Sequence, residues 1–295
     1  MNAPAVTDVT TTSWECFDVS IEDKVAHIRL NRPDAFNSMN RAFWVELPAI
    51  VRAIDEEARA RCIVISSTGK HFCAGMDLSV FQGPADGAAG SAPAARPNPQ
   101  VSAEAAIRHL KHLHETFACL DEARMPVIAA IQGGCVGGGV DMSSACDIRY
   151  CSADAFFVIQ EINIGMTADA GTFPRLCRLI PEGWVRELAY TGGRLPAVRA
   201  REIGLVNEVF DTHEDVVAHA LAVAREIAAK APLAVTGSKV MINYARDHSI
   251  ADSLDYLAVW QAGMFSRSDM AEAFKAKAEK RLGDFPELVP IRRGL

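Results

Sequence analysis

The stretch that decides the fold reads Ile131-Gln-Gly-Gly-Cys-Val-Gly-Gly-Gly-Val-Asp141. Its surroundings predict a buried strand before it, Pro126 to Ile131, and a short helix of small residues, Val140 to Cys146. Glycines let backbone N–H groups come close to a ligand, and the start of a helix adds partial positive charge. Such a place can hold an anion, or an oxygen that becomes anionic during a reaction.

Three carboxylates accompany the glycine cluster. They are Asp141, Glu161 after the apolar run Phe156 to Ile159, and Asp169 in the segment Met166-Thr-Ala-Asp-Ala-Gly171. N–H donors for an oxyanion lie beside several acids, and the sequence has no cluster of metal-ligand residues. This combination indicates enolate chemistry with proton transfer.

The composition is that of a globular protein. Of the 295 residues, 49% are apolar and 23% are charged, and the net charge is −7 without a long basic run, which argues against a nucleic-acid partner. The sequence has no apolar run of about 18 residues and no basic, apolar N-terminal signal, so neither a membrane span nor secretion is predicted. Eight scattered cysteines, without a Cys-x-x-Cys pair, predict buried free thiols in a reducing compartment. The cytoplasm is therefore the expected location.

The order of predicted elements divides the chain. Strands and helices are mixed as far as Phe210, and the pattern from Glu214 onward is helical throughout. We therefore predict a disordered tail over 1–13, a core over 14–210 that holds the active site, and a C-terminal helical region over 211–295. The predicted strands are Trp14 to Ser20, Lys24 to Leu30, Cys62 to Ser66, Pro126 to Ile131 and Leu205 to Phe210. The predicted helices are Asn40 to Ala58, Ala103 to Ala118, Val140 to Cys146, Glu182 to Tyr190, Pro196 to Ile203, Glu214 to Lys230, Leu233 to Asp247, Ile250 to Phe265 and Asp269 to Leu282.

A second glycine turn follows a strand at His71-Phe-Cys-Ala-Gly-Met-Asp-Leu78. After it, Gly83 to Gln100 is rich in Pro, Ala, Gly and Ser and has hardly a large apolar residue, so it cannot pack in a core. A tolerated surface insertion is the favoured interpretation of this loop. A lid over the active site is the alternative.

The two glycine turns resemble the oxyanion-hole motifs of the crotonase superfamily, the enoyl-CoA hydratases and isomerases. The matching residues are Ala74-Gly-Met-Asp77 and Gly137-Gly-Gly139, and Asn31-Arg-Pro-Asp-Ala-Phe-Asn37 is similar to the family's Asn-Arg-Pro-x-Ala-Leu-Asn turn. The likeness runs from about Lys24 to Phe285. It implies an α+β (α/β) fold, the crotonase/ClpP-like spiral of strand-strand-helix units. It also implies a C-terminal helical region that builds homotrimers, which often pair into hexamers.

The resemblance further implies an acyl-CoA thioester substrate and a role for each matching residue. The backbone N–H groups of Met76 and Gly138 would donate to the thioester oxygen. Lys280 lies in a segment that, in many members of the family, reaches the CoA phosphates, often across a subunit boundary; an ordinary basic helix end is an equally good interpretation. The other implied substrate-binding residues are Ala74, Gly75, Asp77 and Leu78.

The acids distinguish between members of the family. Hydratases have two glutamates where this chain has Asp141 and Glu161, and they commonly show Pro-Gly-Ala-Gly around the position of Asp169. The three acids together resemble the triad of the Δ3,5-Δ2,4-dienoyl-CoA isomerases. That likeness implies proton transfer from C2 to C6, with Glu161 at C2 and Asp169 at C6 in opposite protonation states. Like-charge repulsion and burial would keep one of this pair protonated, and Asp141 would tune Glu161 or hold a water.

Ordinary structural roles are the alternatives for these acids. Asp141 could complement a helix N-terminus, Glu161 could be an exposed acid after a strand, and Asp169 could be a turn or N-cap residue. Three histidines do not share one helix face, which favours a solvated surface over a metal site: His109, His112 and His114.

The expected function is isomerisation of 3,5-dienoyl-CoA to 2,4-dienoyl-CoA in fatty-acid β-oxidation, without a metal or a redox cofactor. A 2-enoyl-CoA hydratase that uses Asp141 and Glu161 on water is the alternative within the fold. A catalytically idle CoA-binding scaffold is the alternative from another class.

Overall fold

The computed structural model describes residues 8–80 and 98–292. Its strands are β1 (Phe17–Glu22), β2 (Val25–Leu30), β3 (Cys62–Ser67), β4 (Val127–Ile131), β5 (Gly134–Val136), β6 (Ile148–Ser152), β7 (Phe156–Val158), β8 (Leu195–Pro196) and β9 (Glu208–Phe210). Its α-helices are α1 (Phe43–Glu56), α2 (Pro99–Glu122), α3 (Gly138–Ala145), α4 (Thr172–Leu179), α5 (Glu182–Thr191), α6 (Ala197–Glu202), α7 (His213–Ala228), α8 (Pro232–Ala245), α9 (Ile250–Met264) and α10 (Arg267–Glu279).

Two sheets organise these elements. A six-stranded sheet has the order β1-β2-β3-β4-β6-β9, and a three-stranded sheet has the order β5-β7-β8. In the large sheet β1 and β2 are antiparallel and the following pairs are parallel. Parallel strands bring their carboxyl ends to one edge of a sheet, where ligands commonly bind. The chain leaves β4 at that edge and runs directly into β5 and α3, so the decisive glycine cluster lies there.

The large sheet is covered on both faces. Along β3, Ile63 and Ile65 belong to one core and Cys62 and Val64 to the other, because successive side chains of a strand point to opposite faces. All residues of β3 and β4 are buried, which explains the apolar runs at 62–65 and 127–131. The mixture of strands and helices confirms the predicted fold class.

Helix α7 covers the second face of the large sheet. Its Val216, Ala220 and Ala224 lie in the same core as Cys62 and Val64. Small residues four positions apart form a narrow stripe that lets a helix approach strands closely. The predicted boundary at 210 assigned α7 to the C-terminal region. In the structure α7 packs on the large sheet through this apolar stripe.

Helix α9 has no buried residue. Trp260 packs against Gly237 of α8, while Ile250, Leu254 and Leu257 form an exposed apolar stripe on α9. A contiguous apolar surface of this kind is typical of a protein–protein interface. Among the residues that the structure describes, no helix is both long and apolar enough to cross a membrane.

Three further predictions concern the N-terminal tail, the low-complexity loop and the cysteines. Of the predicted tail, the described part packs against the core, since Val9 is buried and the Trp14 indole N–H donates to the Val9 carbonyl oxygen at 2.9 Å. The predicted Gly83–Gln100 loop lies outside the described residues as far as position 97. Asn98 caps α2, which begins at Pro99, four residues before the predicted start of that helix. All eight cysteines are free thiols and seven are buried, as predicted.

Candidate active site

Two glycine turns meet beyond the ends of β3 and β4. Cys73 forms a parallel bridge with Cys135, which aligns the two turns. A β-carbon on Gly75 would lie 2.9 Å from the carbonyl oxygen of Val136 and 3.6 Å from the amide nitrogen of Gly138. Gly75 also has φ +86°. Glycine is therefore required at this position, because a side chain would strike the facing backbone.

The amide of Met76 points away from the neighbouring strand. Met39 forms a parallel β-bridge with Met76. The Met39 N–H donates to the carbonyl oxygen of Gly75 (2.8 Å), and the Met39 carbonyl oxygen accepts from the N–H of Asp77 (3.0 Å). In a parallel bridge of this pattern the N–H of the opposite residue, here Met76, faces the other side. Within the described chain no acceptor pairs with that amide. It is available to a ligand.

The amide of Gly138 is available for a different reason. Gly138 is the first residue of α3, so its N–H has no intrahelical acceptor. No other acceptor in the described part of the chain pairs with it. Met76 and Gly138 thus present two amides from adjoining turns, as the sequence suggested. That both converge on one oxygen stays a prediction.

Glu161 lies beside the start of α3. It begins a short 3-10 turn (Glu161–Ile164) after β7, and a β-carbon on Gly137 would be 3.0 Å from its Oε1 atom. Its Oε2 atom is buried and has no hydrogen-bond partner among the described residues. An unpaired buried carboxyl oxygen is costly, and such groups are typical of functional sites.

The same environment shifts the titration of Glu161. Burial, and then the negative charges of Asp141 and Asp169, raise the pKa of Glu161 to about 7. A carboxyl with a pKa in this range is present in both protonation states near neutral pH. Glu161 is therefore suited to accept a proton and to return it.

Asp141 is directed towards α4. Its side chain is 2% exposed, and its Oδ1 atom accepts a 2.7 Å hydrogen bond from the hydroxyl of Thr172, the first residue of α4. Burial raises the pKa of Asp141 to about 6, although the hydrogen bonds from Thr172 oppose the rise. Asp141 lies in the first turn of α3, and through Thr172 it also complements the N-terminus of α4.

Asp169 differs from the other two acids, because its side chain is exposed. Its negative charge nevertheless raises the pKa of both Asp141 and Glu161, so the three acids form one electrostatic group. The sequence predicted that burial would act on Glu161 and Asp169 as a pair. In the structure burial acts on Glu161 and Asp141 instead, since the segment that carries Asp169 is exposed.

Helix α2 contacts the Asp169 segment through one of its three exposed histidines. His114 Nε2 lies 2.6 Å from the carbonyl oxygen of Asp169, and His112 pairs with Glu115. Within residues 8–80 and 98–292 no three His, Cys, Asp or Glu side chains form a group that could hold a metal ion.

Asp77 stabilises the first glycine turn. Its Oδ1 atom accepts from the hydroxyl (2.7 Å) and the amide (3.1 Å) of Ser79, and its Oδ2 atom accepts from Ser38 and Arg32. These hydrogen bonds, led by those from Ser79, lower the pKa of Asp77 to about 2. Its contacts are therefore those of a residue that shapes the turn.

The remaining predicted substrate-binding residues divide between the site and the surface. Ala74 and Gly75 form the first turn, and the Ala74 N–H donates to the carbonyl oxygen of Phe36 at 3.0 Å. The side chain of Leu78 lies outside the described structure. Lys280 ends α10 with a left-handed backbone and an exposed side chain, and in the described chain no hydrogen bond or ion pair of that side chain joins it to the glycine turns.

Two residues of the site were not predicted from the sequence. Thr172 binds Asp141 across 31 positions of the chain, and the buried thiol of Cys73 accepts from the Gly75 N–H at 3.4 Å. The sequence features that could have indicated these two residues are local ones. A threonine directly after Gly171 marks a helix start, and an acceptor side chain two residues before an N–H can close a turn.

Comparison with known proteins identifies relatives of this chain. The family model described as Enoyl-CoA hydratase/isomerase matches residues 20–287. The mitochondrial Δ(3,5)-Δ(2,4)-dienoyl-CoA isomerase of Rattus norvegicus is 39% identical over 93% of this chain and 83% of that protein. The peroxisomal Δ(3,5)-Δ(2,4)-dienoyl-CoA isomerase of Arabidopsis thaliana is 36% identical over 90% of this chain and 94% of that protein. Because these relatives are named for two different organelles, the location of this chain stays a prediction.

Solved structures agree on the fold. The crystal structure of an enoyl-CoA hydratase from Bacillus anthracis superposes with a TM-score of 0.80 and is 31% identical. The match covers 92% of this chain and 99% of the hydratase. The solved hydratase thus has a lower sequence identity to this chain than the rat and plant isomerases do.

Proposed function

Because the chain belongs to the enoyl-CoA hydratase/isomerase family, we propose that it isomerises 3,5-dienoyl-CoA to 2,4-dienoyl-CoA. The membership confirms the resemblance read from the glycine turns. The observation that carries the finer proposal is the Oε2 atom of Glu161, buried and unpaired beside the start of α3. An acid in that position can take a proton from the carbon next to a thioester whose oxygen lies at the helix N-terminus.

In the proposed mechanism Glu161 removes a proton from C2. The C–H electrons move towards the thioester oxygen, and the amides of Met76 and Gly138 stabilise the resulting dienolate; losing one such donor typically costs about 3 kcal/mol. Asp169 then gives a proton to C6, the electrons return, and the 2,4-diene becomes conjugated with the thioester. Substrate and product are isomers, so the reaction needs neither an oxidant nor a redox cofactor, and we assign no metal to it.

The exposure of Asp169 sets a condition on this mechanism. A proton donor at C6 must carry a proton at the moment when the dienolate forms. An acyl chain that covers Asp169 removes water from it, and the charges of Asp141 and Glu161 disfavour a third negative charge. Substrate binding thus favours the uptake of a proton from solvent by Asp169, which later gives that proton to C6. The proton held by Glu161 returns to solvent after product release.

A hydratase mechanism would need Asp141 and Glu161 to hold a water between them. The Oδ1 atom of Asp141 already accepts a hydrogen bond from Thr172 and the side chain is nearly inaccessible, which favours the isomerase.

An absorbance assay distinguishes the candidates. The isomerase raises the ultraviolet absorbance of 3,5-dienoyl-CoA, a hydratase lowers that of crotonyl-CoA, and a scaffold changes neither while binding CoA.

We also propose that α9 joins copies of this chain into the homotrimers, or hexamers, that the family resemblance implies. Leu254 and Leu257 are 58% and 42% exposed on a helix with no buried residue. Leu257→Asp should shift the sedimenting species towards the monomer. An unchanged oligomer would show that this face is not the contact.

A further inference from the structure

Thr172 lies where the parts of the site meet. It is the first residue of α4, it follows the segment that carries Asp169, and its hydroxyl donates to Asp141 on α3 at 2.7 Å. The two side chains are 1% and 2% exposed. A hydrogen bond donated to a buried carboxylate favours the ionised form, because little water is present to replace it.

We propose that Thr172 is a positioning residue of the isomerase: its hydroxyl keeps a negative charge on Asp141, and that charge sets how strongly Glu161 holds the substrate proton. This inference rests on the proposed function, since it concerns the same site. It gives Asp141 an indirect part, in which the acid acts on Glu161 through its charge and does not contact the substrate.

Thr172 is the main group that keeps Asp141 ionised. Among the effects that lower the pKa of Asp141 the Thr172 hydroxyl is the largest, and the charge of Arg175 contributes less. The guanidinium of Arg175 is already bound to Asp121 of α2 at 2.8 Å, so its charge is shared. The thiol of Cys73, another titratable group near Asp141, is neutral because burial raises its pKa to about 12.

The charge then acts on Glu161. Asp141 and Asp169 are the two negative groups that raise the pKa of Glu161 in addition to burial. Without the Thr172 hydroxyl, Asp141 would keep its proton to higher pH and would repel the ionised Glu161 less. The pKa of Glu161 would therefore fall, and the acidic limb of the pH–rate profile would move to lower pH.

Two substitutions of Thr172 test the hydroxyl. Thr172→Val keeps the shape and removes the donor, and we expect it to lower the midpoint of the acidic limb of kcat/KM by about 0.5 to 1 pH unit. Thr172→Ser keeps the donor and should leave the midpoint unchanged. Thr116 is a matched control: its buried hydroxyl donates to the Trp44 carbonyl at 3.4 Å, and Thr116→Val should produce no shift.

The Asp141→Asn background decides whether the effect passes through Asp141. The charge is absent there, so adding Thr172→Val should cause no further shift. The inference is overturned if Thr172→Val shifts both backgrounds equally, or shifts neither.

A second measurement needs no turnover. A carboxyl with a raised folded-state pKa contributes stability at low pH that is lost as the pH rises through that pKa. For wild-type Asp141 this loss is complete just above pH 6, given its pKa of about 6. In Thr172→Val the part of the loss that comes from Asp141 should continue to higher pH, and in Asp141→Asn only the part that comes from Glu161 should remain. If this pattern holds but 3,5-dienoyl-CoA is not converted, the proposed function fails and the role of Thr172 stands. If conversion occurs without the pattern, the role of Thr172 fails.

Discussion

The two walls of the candidate active site differ in their contact with water. The inner wall, formed by Gly137, Asp141 and Glu161, is buried or half-buried. The outer wall, residues 162–169, is exposed except at Ala168. One wall therefore carries acids whose pKa values the fold has already raised. The other carries an acid in contact with solvent.

The difference separates two acids whose surroundings are already formed in the folded chain from a third acid whose surroundings we expect binding to complete. Burial raises the pKa of Asp141 and Glu161 before any substrate arrives. The outer wall instead presents large apolar side chains to water: Ile162, Ile164 and Met166. Such side chains are suited to contact with an acyl chain or a neighbouring subunit. We therefore expect Asp169 to become covered only when that contact forms.

The largest expected effect lies on the inner wall. Glu161→Gln keeps the shape of the side chain but cannot accept a proton, so we expect kcat for 3,5-dienoyl-CoA to fall about 10³- to 10⁴-fold. The rise in ultraviolet absorbance measures it. A loss of less than tenfold would remove Glu161 from the chemical step.

On the outer wall, Asp169→Asn should lower kcat about 10²- to 10³-fold, because the dienolate can form but lacks its proton donor at C6. KM should change little, since the glycine turns remain intact. Unchanged turnover in the same assay would leave the outer wall without a chemical role.

The packing of the inner wall predicts a smaller effect. An alanine at Gly137, where φ is +52°, would be strained and would place its β-carbon 3.0 Å from the Glu161 carboxyl. We expect a stability loss of about 1–3 kcal/mol and a kcat reduced about 10- to 100-fold. Gly204 has φ +86° and its nearest such contact is 3.8 Å. Gly204→Ala should therefore lose stability, as measured by denaturant unfolding, without losing kcat; equal kcat losses in both variants would contradict the account.

The smallest effect is one on stability. The raised pKa of Glu161 means that ionising this group disfavours the folded state, so stability is lost as the pH rises from about 4.5 to about 7. Glu161→Gln removes that loss. It should be more stable than the wild type by about 2 kcal/mol at pH 8, after allowance for partial exposure, and no more stable at pH 4. Denaturant unfolding at the two pH values measures the stability of both proteins. A stability difference that is the same at pH 4 and pH 8 would contradict the raised pKa of Glu161.

The inner wall was largely predictable from the sequence and the outer wall was not. The strand β4, the glycine cluster and α3 follow each other directly, so local patterns locate the amide of Gly138 and place Asp141 near it. The family resemblance, and not a local pattern, placed Glu161 beside them. The exposure of Asp169 depends on tertiary packing around residues 162–169. The bond between Thr172 and Asp141 joins two helices that no local pattern pairs. The packing of α7 on the large sheet also depends on tertiary contacts.

Proton exchange in deuterated water tests the division of labour between the walls most directly. With Asp169→Asn and 3,5-dienoyl-CoA, the account predicts that Glu161 still exchanges the C2 protons for deuterium, seen by NMR, while almost no 2,4-dienoyl-CoA forms. Glu161→Gln should show neither exchange nor product. If Asp169→Asn loses C2 exchange as completely as Glu161→Gln does, the assignment of the two acids to opposite ends of the dienolate is contradicted.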